Sequence, residues 1–199
     1  AENGTSIADE GTGASQNGTF TVSGLVSGDK LSGTVTSSSA AQGSYSYSNS
    51  TCTPSFTTTN GIGNYDVTYD LAQTINKAAL LIEIDDSKEY DGTKLVTDYT
   101  EAMATGLQNG ATLNAGVVTT PSKDVAVYTD NTGANITTPF TTTDGISNYN
   151  VSYNFTQEIT KATLTITLND TKVYDGTKFV STVPSAGLEN GTTAAGAPA

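Results

Sequence analysis

Asp86-Ser-Lys-Glu-Tyr-Asp-Gly-Thr-Lys94 occurs again, slightly altered, as Asp170-Thr-Lys-Val-Tyr-Asp-Gly-Thr-Lys178. Each copy follows an alternating apolar run, Leu80/Ile82/Ile84 in the first and Leu164/Ile166/Leu168 in the second. Each therefore predicts a strand running into a tight turn at Tyr90-Asp91-Gly92-Thr93 and Tyr174-Asp175-Gly176-Thr177. Asp-Gly is favoured where a two-residue hairpin loop needs positive φ. The preceding Tyr can lay its ring on the sheet and keep its hydroxyl in water.

The two copies lie 84 positions apart, and the same offset aligns much more of the chain. Phe56-Thr-Thr-Thr-Asn-Gly-Ile-Gly-Asn-Tyr65 matches Phe140-Thr-Thr-Thr-Asp-Gly-Ile-Ser-Asn-Tyr149, and the match runs on through Gln73/Gln157, Ile75/Ile159 and Lys77/Lys161. Near the start, Asp9-Glu-Gly-Thr12 falls where a Tyr-Asp-Gly-Thr turn belongs, and Gly187-Leu-Glu-Asn-Gly191 repeats Gly106-Leu-Gln-Asn-Gly110. A fixed period this long marks a repeat architecture. The expected organisation is a first repeat at 1–78 with a degenerate start, a complete second at 79–162, and the opening strand and turn of a third at 163–199.

Within a repeat the apolar period is two. Tyr65, Val67, Tyr69 and Leu71 alternate with polar residues, as do Tyr149, Val151, Tyr153 and Phe155. Val125/Val127 and Tyr45/Tyr47 give shorter examples. Strict alternation predicts strands with one buried and one wet face. Tyr99–Met103 allows one helical turn and nothing longer. Turn signals such as Asn60-Gly, Asn109-Gly and Asp144-Gly separate six or seven short strands per repeat. The predicted fold is all-β: tandem small β-sandwich or β-grasp-like domains arranged end to end.

The net charge of −12 argues against nucleic acid as a partner. Only 14% of residues are charged, so Ser, Thr, Asn and Gly supply the polarity. That surface is common in secreted repetitive proteins. No apolar run reaches the roughly 18–20 residues of a membrane span, so no direct membrane insertion is expected. Ala1-Glu-Asn-Gly-Thr5 has no leader character, as expected of a mature chain or an excised piece. There is no His, which removes the commonest general base and the Ser-His and Cys-His pairs. Carboxylate pairs remain, but Asp85-Asp86 sits at a strand end where acids face water. Neither that pair nor Asp144-Gly has the ligand spacing of a calcium loop. No enzyme activity, cofactor or metal is expected.

The Tyr-Asp-Gly-Thr turns resemble the YDG repeats of large bacterial surface and secreted adhesins of the filamentous-haemagglutinin-like kind. The likeness includes Gly-Leu-x-x-Gly at Gly24–Gly28 and Gly106–Gly110, the later Gly63-Asn-Tyr65, and Lys77-Ala78 and Lys161-Ala162 between repeats. Departures are Ser147 in the second Asn-Tyr motif, and Asn76 and Thr160 where that pattern has Pro. The resemblance implies extracellular, all-β, stalk-like domains without catalysis. The expected function is a structural or adhesion repeat, a stalk or fibre segment whose partners are neighbouring repeats or copies of itself. An alternative is a carbohydrate- or receptor-binding module, using exposed aromatics such as Tyr45 and Tyr47 on a surface glycan or receptor.

Several side chains invite modification chemistry. Cys52 aligns with Ile136 and reads as a small buried hydrophobe. Lys77 and Lys161, if buried beside Asn and a carboxylate, could form a Lys–Asn cross-link. Asn-x-Ser/Thr occurs at Asn3, Asn17, Asn49, Asn135, Asn150, Asn154, Asn169 and Asn190. Asn150 and Asn154 fall on the predicted wet face of their strand and are the candidate glycosylation acceptors. Finally, the first repeat is short of an opening strand and the third holds little else. Strand addition from 163–183 of one molecule to 1–78 of the next would then build filaments; alternatively, both ends are cuts through a longer array.

Overall fold

The alternation at Leu80, Ile82 and Ile84 places three nearly inaccessible side chains on one face of a strand, and the second repeat is assembled around them. The computed structural model describes residues 7–8 and 19–183. Those residues are all-β. The strands are β1 (Ile7–Ala8), β2 (Thr19–Phe20), β3 (Leu31–Ser37), β4 (Gly43–Ser46), β5 (Cys52–Thr58), β6 (Ala72–Ile75) and β7 (Ala78–Glu89). They continue with β8 (Val96–Asp98), β9 (Met103–Thr105), β10 (Leu113–Thr119), β11 (Ala126–Asp130), β12 (Ile136–Thr142) and β13 (Tyr149–Thr160). Single 3-10 turns at Ile62–Asn64 and Ile146–Asn148 precede the two Asn-Tyr motifs, and no α-helix occurs among the described residues. None of these helical turns is long or apolar enough to cross a membrane. The chain divides into two compact units, 1–160 and 161–199.

β7 and β13, the first and last strands of the second repeat, lie side by side and parallel, in unbroken register from Tyr149↔Ala78 to Thr160↔Glu89. β11 and β9 pair antiparallel on either side, giving the order β11-β13-β7-β9. A second sheet, β12-β10-β8, lies against it. Val118 of β10 and Phe140 of β12 meet Leu80, Ile82, Ile84, Tyr149 and Phe155 in one apolar cluster. The Phe140 and Phe155 rings are tilted against each other with centroids 5.9 Å apart. Burial of this aromatic and branched-aliphatic surface is the main driving force for closing the two layers.

The first repeat has smaller sheets, β3-β5 and β4-β6, with β1-β2 beside them in the sequence. Its cluster is Val35, Tyr45 and Cys52, flanked by Phe20, Phe56, Leu71 and Ile75. Cys52 is a free, buried thiol, packing in its cluster much as an aliphatic side chain would. Tyr45, expected to be exposed, is buried and donates its hydroxyl to the Ala41 carbonyl. The expected turn at Tyr99–Met103 is a simple one, closed by the Ala102 amide on the Tyr99 carbonyl.

Three expectations are corrected. Tyr65–Leu71 alternates like Tyr149–Phe155 yet is not a strand; only the residues after it, Ala72–Ile75, pair, with β4. Leu164, Ile166 and Leu168 likewise form no strand in 161–183 and stand exposed. The cause is common to both. Alternation specifies a face, but a strand exists only when a neighbour takes its backbone hydrogen bonds. The third correction concerns the Asp91-Gly92 turn, which closes no hairpin: β7 before it and β8 after it belong to different sheets. The Asp9–Thr12 and Gly187–Gly191 motifs lie outside the described residues, as do Asn3, Asn17 and Asn190.

Candidate functional site: the turn and the tyrosine clasp

The Tyr-Asp-Gly-Thr turn is a self-satisfied polar knot. Asp91 Oδ1 accepts the Thr93 amide at 2.9 Å, the Thr93 hydroxyl at 2.7 Å and the Lys88 ammonium at 2.8 Å. Lys88 Nζ also donates to Thr93 Oγ1 at 2.6 Å and to the Lys94 carbonyl at 3.0 Å. An Asp that bonds the amide two residues on replaces a backbone turn, and Gly92, at φ 85°, takes the left-handed position. The ammonium beside it, then the Thr93 contacts, hold the Asp91 carboxyl far below the usual carboxylate range.

The same knot forms at Asp175, Thr177 and Lys172, with Gly176 at φ 78°. It forms there with no strand on either side, so the turn is locally encoded. Tyr90 is partly exposed and Tyr174 almost wholly so.

Beyond the turn, Asp86 Oδ2 accepts the Thr97 hydroxyl at 2.7 Å, and Thr97 Oγ1 accepts Gln157 Nε2 at 2.6 Å. Thr97 and Gln157 are both buried. The chain ties β7, β8 and β13 together across the two layers. Asp86, expected to be a solvated strand-end acid, is instead half-buried and bonded. The third repeat keeps the Asp–hydroxyl half of this arrangement, with Ser181 Oγ on Asp170 Oδ2 at 2.7 Å.

A tyrosine clasp explains the other two motifs. The Tyr149 hydroxyl donates to Asp144 Oδ2 at 2.6 Å and accepts the Gln108 amide at 3.0 Å. It thereby fastens the Gly106–Gly110 loop to the start of β13. In the first repeat Tyr65 donates to Asp29 Oδ2 at 2.6 Å and accepts the Val26 amide at 3.3 Å. The carboxylate has changed sides. Asn60 stands where the second copy has Asp144, and Asp29 supplies the acid from the loop, where the second copy has Ala111. That paired exchange is visible in the sequence once the repeats are aligned, but its meaning needs the geometry.

Asp130, another acid missed in the sequence, is buried at the end of β11 and accepts the amides of Thr132, Gly133 and Asn135. Burial pushes its carboxyl up, but the Asn135 and Thr132 bonds outweigh this and leave it below the ordinary value.

Asn150 and Asn154 both lie on the exposed face of β13, and Asn154 Nδ2 donates to Glu83 Oε1 at 3.1 Å. Lys77 and Lys161 are exposed rather than buried, so neither has the setting a Lys–Asn cross-link requires. Among the described residues no three His, Cys, Asp or Glu side chains converge as metal ligands. An open depression of about 280 Å³ beside β7 is lined by Glu83, Asp85, Glu101, Met103, Asn154 and Thr156.

The clasp gives a pH dependence with two limbs. The Tyr149 hydrogen bond, above all, lowers Asp144 from its ordinary value near 3.8, so this stability is present above that value and is lost as pH falls. Burial first, then Asp144, raises Tyr149 above its ordinary 10.0, so the phenol's share is intact below pH 10 and is lost as pH rises further. Denaturant titrations should therefore show a plateau between about pH 5 and 9 and a decline on both sides. Tyr65→Phe with Tyr149→Phe should flatten the alkaline limb while leaving Asp91 and Asp130 to shape the acid one.

The chain matches no protein-family model, no curated protein and no solved structure.

Proposed function

We propose that this chain is a load-bearing spacer, a stalk or fibre segment of a secreted or cell-surface bacterial adhesin. The observation that carries the reading is the parallel pair β7 and β13. The chain enters the second repeat at Ala78 and leaves it at Thr160, at opposite ends of two neighbouring twelve-residue strands. Each such repeat advances the chain by about 35–40 Å along the strand axis. Tension applied at the two ends pulls β7 and β13 in opposite directions along their length. The ladder between them is then loaded in shear, all at once, instead of being unzipped bond by bond. The Asp86–Thr97–Gln157 chain braces the same two strands, and the tyrosine clasp holds the start of β13. The charge-poor, hydroxyl-rich surface and the likeness to YDG repeats support an extracellular setting.

Stretching single molecules by their ends tests the reading. The expected result is a discrete high-force event that releases about 250 Å, the contour of residues 78–160 less the length already spanned. Opening at low force, without a discrete event, would overturn it. The carbohydrate-binding alternative has lost Tyr45 to the core, and Tyr47 packs edge-on against Tyr69 with centroids 5.0 Å apart.

A further inference from the structure

One buried polar contact in the second repeat brings a nucleophile, a base and an acyl group together. The Thr97 hydroxyl donates to Asp86 Oδ2 at 2.7 Å and accepts Gln157 Nε2 at 2.6 Å. Gln157 and Asp86 are direct neighbours in the β7–β13 register, and Thr97 reaches them from β8 in the other sheet. Thr97 and Gln157 are each 1% exposed. Gln157 Nε2 also donates to the Val118 carbonyl at 3.4 Å, which fixes the orientation of its carboxamide.

We propose that Thr97 and Gln157 join in an intramolecular ester, formed by the protein itself with Asp86 as the base. Gln157 Cδ is one amide bond from Nε2, so it lies within about 4 Å of the hydroxyl oxygen, close to the roughly 3–3.5 Å of a near-attack arrangement. The hydroxyl hydrogen already points at a carboxylate, as it does in an activated nucleophile. The oxygen has only to shift from the nitrogen to the face of the adjacent carbon. Thr97 Oγ then attacks Gln157 Cδ while Asp86 takes the hydroxyl proton. The tetrahedral adduct collapses by breaking the Cδ–Nε2 bond, and Asp86 returns the proton to the departing nitrogen, which leaves as ammonia. One C–O bond replaces one C–N bond, nothing is oxidised or reduced, and no co-reactant is consumed. Burial holds the reacting groups together and denies water to the finished ester.

The third repeat carries Ser181 on Asp170 where the second has Thr97 on Asp86. Serine and threonine share the hydroxyl and differ in the methyl group, so the common element at this position is the nucleophile. The ester does not depend on the chain being a stalk, but it changes how a stalk would yield. Before the bond forms, tension releases the whole 250 Å or so; afterwards residues 98–156 are bypassed and the release falls to roughly a fifth of that.

Intact-mass measurement of the folded full chain, followed by digestion at lysine, tests the proposal. The expected result is a mass one ammonia below that of the sequence, with residues 95–123 joined to 124–161. Hydroxylamine should part the joined fragments and leave a hydroxamate at Gln157. Thr97→Val should stay at full mass, and Asp86→Asn should slow joining by about a hundredfold or more. Thr97→Ser keeps the hydroxyl and should still join, so it decides the matter if Thr97→Val does not fold.

Full mass in the folded chain overturns the proposal. So does an ammonia lost while the two fragments stay separate, as ring closure at Asn60-Gly61 or Asn109-Gly110 would give, or joining that persists in Thr97→Val. A parent chain that keeps the full release at high force would sink the ester and leave the stalk reading standing. Joined fragments, with Thr97→Val opening at low force, would do the reverse.

Discussion

Ile82→Ala is expected to cost about 2–5 kcal/mol of unfolding free energy, measured by denaturant titration of the full chain. Ile82 is fully buried at the centre of β7, between the two layers, so truncation leaves a cavity lined by Leu80, Ile84 and Phe155 as well as losing transfer energy. Ile82→Val, at about 0.5–1.5 kcal/mol, keeps the measurement possible if the larger truncation unfolds the repeat. The control sits 84 positions later. Ile166→Ala, at the same place in the repeat, should shift stability by no more than about 0.5 kcal/mol in dilute solution, because Ile166 stands in solvent. Equal effects at the two positions would mean that the opening strands are equally covered.

Gly106→Ala should be nearly as damaging. Gly106 sits at φ 105°, and a Cβ there would lie 2.2 Å from the Ala79 carbonyl oxygen. That atom is backbone of β7, the strand on which β9 is laid, so it cannot swing away. The left-handed penalty of about 1–2 kcal/mol and an overpacking cost of about 1–3 add to roughly 2–5 kcal/mol. Gly110→Ala separates the two contributions. Gly110 is also left-handed, at φ 73°, but a Cβ there meets nothing within 4 Å, so only the conformational part should appear. Urea midpoints for the two variants, compared in one series, check the difference.

The alternation at Leu80/Ile82/Ile84 and at Tyr149–Phe155 was enough to read strands, their buried faces and an all-β fold. It was not enough at Tyr65–Leu71 or Leu164–Leu168, where the pattern is equally good and the partner is missing. A sequence pattern reports what a strand would bury, not whether a neighbour is there to bury it. Asp-Gly was legible as a turn with a left-handed glycine, yet the turn's route between sheets was not, because Asp91 satisfies it without any pairing of the flanking strands. The clasps were hidden for a different reason. Tyr65 and Tyr149 align, but their carboxylates come from Asp29 in one repeat and Asp144 in the other, so no single motif contains the pair.

The parallel pairing of β7 with β13 also sets an order of events as the polypeptide is made. Each residue of β7 waits for a partner 71 positions later, so no part of this central ladder can form until the end of the repeat has emerged. Contacts so distant in sequence make for slow folding. The locally encoded Asp91 turn can close long before that. By the time β13 is complete, the next Leu-x-Ile-x-Leu run follows within a few residues and offers the same alternation as β7. Connection length favours the earlier mate: a parallel partner needs a crossover of about a dozen residues or more, and only residues 161–163 separate β13 from Leu164.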